Sequence, residues 1–153
     1  MIRDQLSSHL KQALVAQDKN RLSTLRLIAA ALKDRDIAER SKGITTGIDD
    51  TAILQMLQTM IKQRNDSVEM YLKGGREDLA QKEKDEVKVI QEFLPQQMDE
   101  VAIKKALQAA ALEVGATSSK DMGAVMGLLK TRYVGQMDFG LASRLAKEVL
   151  SSL

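Results

Sequence analysis

Cysteine is absent from the 153 residues, so disulfide frameworks and thiolate metal sites are excluded. There is one histidine, His9, with Ser8 beside it. Adjacent helix positions do not face one another, so the pair makes no catalytic dyad. Without a second histidine, a transition-metal site would have to be built from carboxylates. The acidic runs present, Asp49–Asp50 and Glu83–Asp85–Glu86, read as a helix start and a solvated face. Aromatic rings are limited to Tyr71, Phe93, Tyr133 and Phe139, too few for a base-stacking platform. No phosphate-cradling G-x-x-x-x-G-K-[ST] or G-x-G-x-x-G loop occurs. No apolar run approaches the roughly 18–20 residues of a membrane span. "MIRDQLSSHL" at the N-terminus lacks a signal peptide's apolar core, which makes the cytoplasm the expected compartment. No catalytic residue, metal or cofactor is expected, and no membrane partner.

What is present favours helices. Hydrophobic residues make up 44% and charged residues 29%, with a single proline, the composition of a folded chain rather than a disordered one. Apolar residues recur at helical spacing nearly everywhere and alternate nowhere, so an all-α fold of seven helices is predicted. Ile2, Leu6, Leu10, Ala13 and Leu14 mark the first helix. Asp18 caps a second, with Leu22, Leu25, Ile28, Ala29 and Leu32 on its apolar face, running to about Arg40. After the connector "SKGITTGI", Asp49 or Asp50 opens a third, bearing Ile53, Leu57, Met60, Ile61, Val68 and Leu72. The Gly74–Gly75 pair stops it, and Glu77 and Asp78 start a fourth. Pro95 cannot continue a helix and is taken as a boundary: an N-terminal helical bundle over 1–95 and a C-terminal three-helix unit over 96–153. In the second unit Asp99 caps a helix carrying Val101, Ile103, Leu107, Ala110 and Val114. Ser118 and Asp121 form a capping box for the next, and "RYVGQMDFG" reads as a loop before a last helix from Leu141.

The net charge of +2 is unevenly spread: +4 over residues 1–48, −3 over 49–95 and +1 over 96–153. Lys19, Arg26, Lys33 and Arg40 recur at intervals of seven along the second helix, a slowly drifting stripe about 31 Å long beside the apolar face. Two readings stay open. The side chains could snorkel over the core edge in local ion pairs, or they could track phosphates and release counterions. In the second unit, Lys120, Lys130, Arg132, Arg144 and Lys147 add further cations. Between them Gly123 and Gly127 stand one turn apart on a helix, although glycine in a helix interior costs about 0.8–1 kcal/mol relative to alanine. Another helix could cross tightly there, and the backbone could also lie bare for a ligand; the two readings are compatible.

Four stretches, "RLSTLRLIAAALKDRDIAE", "IKQRNDSVEMYLKGGREDLAQKE", "EFLPQQM" and "GATSSKDMGAVMGLLK", together resemble the YqeY-like proteins in order and spacing. That family is similar to the C-terminal tail of the B subunit of the glutamine-dependent aminoacyl-tRNA amidotransferase. The resemblance implies a two-lobed helical fold and a tail-like role in holding the tRNA body. It also carries the label of a carbon–nitrogen ligase with glutamine as amido-N donor, whose ATP and glutaminase domains have no counterpart in these residues. One loop departs from the family pattern, which is G-[KR]-A-D-G. Here "GQMDFG" puts Gln136 for the cation, Met137 for the small residue and Phe139 for the second glycine.

The expectation is therefore a non-catalytic helical module that binds structured RNA, most simply tRNA. Its RNA-binding residues would be Lys19, Arg26, Lys33, Arg40, Lys120, Gly123, Gly127, Lys130, Arg132, Arg144 and Lys147. The alternatives are a protein-interaction adaptor using Met122, Met126 and Met137 as a deformable apolar patch, with a partner in aminoacyl-tRNA metabolism, or an accessory chain to such a ligase.

Overall fold

Seven α-helices and one short 3-10 turn account for the regular structure, with no strand, in a computed structural model that describes residues 1–153. The fold is all-α, as the apolar spacing predicts. The helices are α1 (Ile2–Val15), α2 (Lys19–Arg40), α3 (Asp50–Lys73), α4 (Glu77–Gln91), α5 (Glu100–Val114), α6 (Met122–Arg132) and α7 (Phe139–Ser151). The chain divides into two units, Met1–Pro95 and Gln96–Leu153.

In the first unit two helical hairpins share a core. Leu25, Ile28 and Leu32 of α2 meet Leu6 and Ala13 of α1, Ile53, Met56, Leu57 and Met60 of α3, and Ile90 of α4 with Phe93 just beyond it. Each such aliphatic side chain contributes about 1.5–3 kcal/mol through burial. The predicted caps form: Asp18 accepts from the Arg21 N–H at 3.2 Å, and Asp49 from the Ala52 N–H at 2.9 Å. Gly75, at φ +71, supplies the left-handed turn between α3 and α4. Across that hairpin the half-buried Arg64 donates from Nε to Glu86 at 2.9 Å and from Nη1 to the Met60 carbonyl at 3.2 Å.

In the second unit Ile103, Leu107 and Ala110 of α5 pack on Val125 and Leu129 of α6 and on Ala142, Leu145, Ala146 and Leu150 of α7. Asp99 caps α5 through the Ala102 N–H at 2.8 Å, and Gly115 closes it at φ +69. Ser118 and Asp121 make the expected capping box, Asp121 accepting from the Thr117 and Ser118 N–H groups. Those two backbone donors hold the Asp121 carboxyl below the usual carboxylate range.

Several positions differ from the sequence-based expectation. Leu14 and Leu72, each in a final turn, are exposed, as are Val101 and Val114. Val101 lies two residues, about 200° of helix, from Ile103 and so cannot share its face. Met56, Ala80, Ala106 and Ala111 fill the interior in their place. Helix α7 also begins earlier than predicted, at Phe139, because Asp138 accepts from the Gly140 and Leu141 N–H groups at 2.9 and 3.2 Å.

Candidate nucleic-acid interface

The first unit sorts its cations into two sets. One set is tied down. Arg3 donates to both Asp36 oxygens, at 2.8 and 2.7 Å, and to the Ile48 carbonyl at 2.8 Å, while Asp36 also accepts from the Ile48 N–H at 2.9 Å. The Arg3 bonds hold the Asp36 carboxyl below its usual range, and Arg40 nearby adds to the effect. Arg21 donates to Glu92 and, at 2.8 Å, to Nδ1 of His9, whose ring leans on Phe93 with centroids 4.9 Å apart. Guanidinium has no acceptor, so a neutral His9 receiving this bond carries its proton on Nε2. His9 is thereby engaged in packing and polar contacts between α1, α2 and the end of α4.

The other set is the predicted stripe. Lys19, Arg26, Lys33 and Arg40 are all exposed, and none forms an ion pair. No ion pair within 4 Å neutralises the stripe, although Arg40 lies near enough to Asp36 to help lower its carboxyl. Seven residues fall about 20° short of two turns, so the four side chains drift by about 60° in all. Lys19 consequently points nearly away from the buried Leu25–Ile28–Leu32 face, as Ile37 does five turns on, while Lys33 and Arg40 come nearer its border.

The second unit answers the question raised by its paired glycines. A Cβ built on Gly123 or on Gly127 would meet nothing within 4 Å. No helix crosses there, and the tight-crossing reading is overturned: α6 buries Val125, Met126 and Leu129 on the opposite side. Lys120, Gly123, Gly127 and Lys130 follow one another at steps of three, four and three residues, all exposed, with neither lysine in an ion pair. Bare backbone flanked by two free ammonium groups therefore forms one face of this unit. Arg144 and Lys147 are likewise exposed and unpaired, on the solvent side of α7.

Arg132 differs from these. Its guanidinium donates from both terminal nitrogens to Glu113 of α5, at 2.6 Å to Oε2 and as closely to Oε1. That bond keeps the Glu113 carboxyl below the usual carboxylate range. Nineteen residues separate the partners, so only the packing of α5 on α6 brings them together. The charge of Arg132 is balanced within the unit.

The methionine patch does not exist as a surface. Met137 is fully buried and Met126 nearly so, and Met122 packs against the same core. The bulk that distinguishes "GQMDFG" points inward, with Phe139 also leaning on that core. The loop is held in place where the Met98 N–H donates to the Gln136 carbonyl at 2.8 Å and Gln97 donates to the Gly135 carbonyl. No grouping of three or more His, Asp or Glu side chains is placed to hold a metal ion. No helix is long and apolar enough to cross a membrane.

These features define an all-α protein of two helical units, each presenting exposed, unpaired cations along helix faces. The chain belongs to the Yqey-like protein family, whose model matches residues 3–150. It is similar to altered inheritance of mitochondria protein 41, mitochondrial, of Vanderwaltozyma polyspora, at 33% identity over 124 residues, 76% of this chain and 64% of the relative. The protein of that name from Lachancea thermotolerans is 33% identical over 91 residues, 60% and 46% of the two chains. In Saccharomyces cerevisiae the corresponding figures are 29% over 116 residues, 72% and 60%. The chain spans less than two thirds of the length of these relatives.

Proposed function

We propose that this protein is a non-catalytic module that grips structured RNA, most simply tRNA, through its phosphates. The observation that carries the reading is the set of exposed cations outside short ion pairs: Lys19, Arg26, Lys33 and Arg40 on α2, and Lys120, Lys130, Arg144 and Lys147 in the second unit. Unpaired cations on rigid helices neutralise phosphates without first breaking internal ion pairs, and each neutralised phosphate releases counterions. Gly123 and Gly127 support it, since a face without side chains lets a sugar–phosphate chain lie against the helix. With four aromatic rings, of which Phe93 is buried, recognition would rest on shape and charge. Arg132 is left out of the contact set because Glu113 holds it. Action in the cytoplasm, and service as the tRNA-holding accessory of an amide-transfer enzyme, belong to the same proposal. The relatives are named for mitochondria.

Filter retention of bulk tRNA tests it. The paired substitutions Lys19→Glu with Arg26→Glu, and Lys120→Glu with Lys130→Glu, should each weaken retention about tenfold or more, equally across tRNA species, with helicity unchanged. Retention unaffected by both pairs would refute the reading.

A further inference from the structure

We propose that the groove between α1 and α2 docks an acidic amphipathic helix of a partner protein. The groove has a volume of about 410 Å³. Its floor is apolar, made by Leu6 and Leu10 of α1 with Ala29 and Leu32 of α2. Ile37, at 50% exposure, stands on its rim as apolar surface in contact with water. Two unpaired cations, Lys33 and Arg40, flank that isoleucine, whereas Arg3 at the end of the groove is balanced by Asp36. The lining carries three cations, Arg3, Lys33 and Arg40, against the one carboxylate of Asp36, so the site offers an apolar trough with a net positive edge, the complement of a surface that is apolar in the middle and acidic at its margin.

The spacing selects a helix as the occupant. From Ala29 to Arg40 the groove follows α2 for about 16 Å, the length of three helical turns. Of the exposed positions on α2, Lys33, Ile37 and Arg40 line the groove, and they step by four and three residues. That 3.5-residue rhythm is the one a second helix meets when two helices lie side by side, and carboxylates seven residues apart on it would reach Lys33 and Arg40 together. A phosphate chain matches the cations but leaves Leu10 and Ile37 in water. The apolar floor therefore favours a helix over RNA in this groove, so that Lys33 and Arg40 serve the helix while Lys19 and Arg26, outside the groove, stay with the RNA grip proposed above.

Fluorescence anisotropy with the full chain tests the proposal. The probe is a labelled synthetic 18-residue peptide with leucines at helical spacing along one face and glutamates beside them. Its comparators are a scramble of the same composition, bulk tRNA, and phosphatidylglycerol vesicles. The ordered peptide should bind at least tenfold more tightly than the scramble. Ile37→Ser should weaken it about five- to tenfold, the loss expected when a half-exposed isoleucine is no longer covered, and should leave tRNA retention unchanged. Lys33→Glu with Arg40→Glu should weaken it about tenfold or more. Ile37 is exposed, so its variant should keep wild-type helicity and melting. Equal binding of the scramble, insensitivity to Ile37→Ser, or no peptide binding would overturn the proposal. Vesicles binding in the peptide's stead, with loss on Ile37→Ser, would overturn it in favour of a lipid. Because the tRNA reading is tested at Lys19, Arg26, Lys120 and Lys130, either proposal can fail alone.

Discussion

Replacing Gly123 and Gly127 together by alanine separates a structural from a functional reason for the paired glycines. Both residues lie inside α6 with ordinary helical backbone, and a Cβ at either position has no neighbour within 4 Å. The substitution therefore introduces no clash, and it removes a helix penalty of about 0.8–1 kcal/mol at Gly127 and a smaller one at Gly123, the second residue of α6. The double variant should be more stable by about 1–1.5 kcal/mol, raising the midpoint of thermal unfolding by roughly 2–6 °C if the chain melts as one unit. Circular dichroism at 222 nm, about the wavelength of the helical signal, follows that transition. Two added methyl groups also raise the surface just where the proposed phosphate chain would lie, so tRNA retention should fall while stability rises, the trade-off expected at a binding surface. A lower midpoint would refute the claim that nothing packs on this face. A higher midpoint with unchanged tRNA retention would show that the bare backbone has no part in binding.

Asp36→Asn should destabilise the first unit by about 2–3 kcal/mol in urea unfolding, since it weakens charge-assisted bonds to Arg3 and the Ile48 N–H. Because the folded Asp36 carboxyl lies below its unfolded value, its contribution is fully present above about pH 4 and disappears as pH falls through the folded value. The acid limb of stability against pH should accordingly be shallower in Asp36→Asn. Gly47→Ala should cost about 1–3 kcal/mol, because φ is +83° and a Cβ there would sit 2.5 Å from the Arg3 guanidinium. Met137→Ala should cost about 2–5 kcal/mol in the same assay, since its side chain is fully buried in the second core. A loss of less than about 0.5 kcal/mol would mean that the loop side chain is not packed.

The helices were legible because their signals are local. Asp18, Asp49 and Asp99 cap the helices expected of them, and the Ser118–Asp121 box is set by residues three apart. The heptad interval on α2 was also legible, and with it the exposed stripe. The ties that organise the units were not. Arg3 and Asp36 lie 33 residues apart and Arg21 and Glu92 lie 71 apart, and no periodicity connects them. Arg132 looked like the other cations because Glu113 reaches it only across the packed α5–α6 pair. For the same reason the direction of Met137 was hidden: a methionine in a polar-looking loop gives no sign of which way it points. The two readings of Gly123 and Gly127 differ only in whether another element lies over them, a property of tertiary packing. The groove between α1 and α2 went unseen because its walls come from two helices, although Ile37 among the cations was its visible trace.

The salt dependence of tRNA binding by the unmodified chain tests the claim of a phosphate grip most directly. Engagement of four to six free cations predicts an apparent association constant that falls linearly in log–log form, with a slope of about −3 to −5. Between 50 and 200 mM salt the affinity should therefore drop by roughly sixtyfold to a thousandfold. No binding at the lower salt, or a slope near zero, would contradict it.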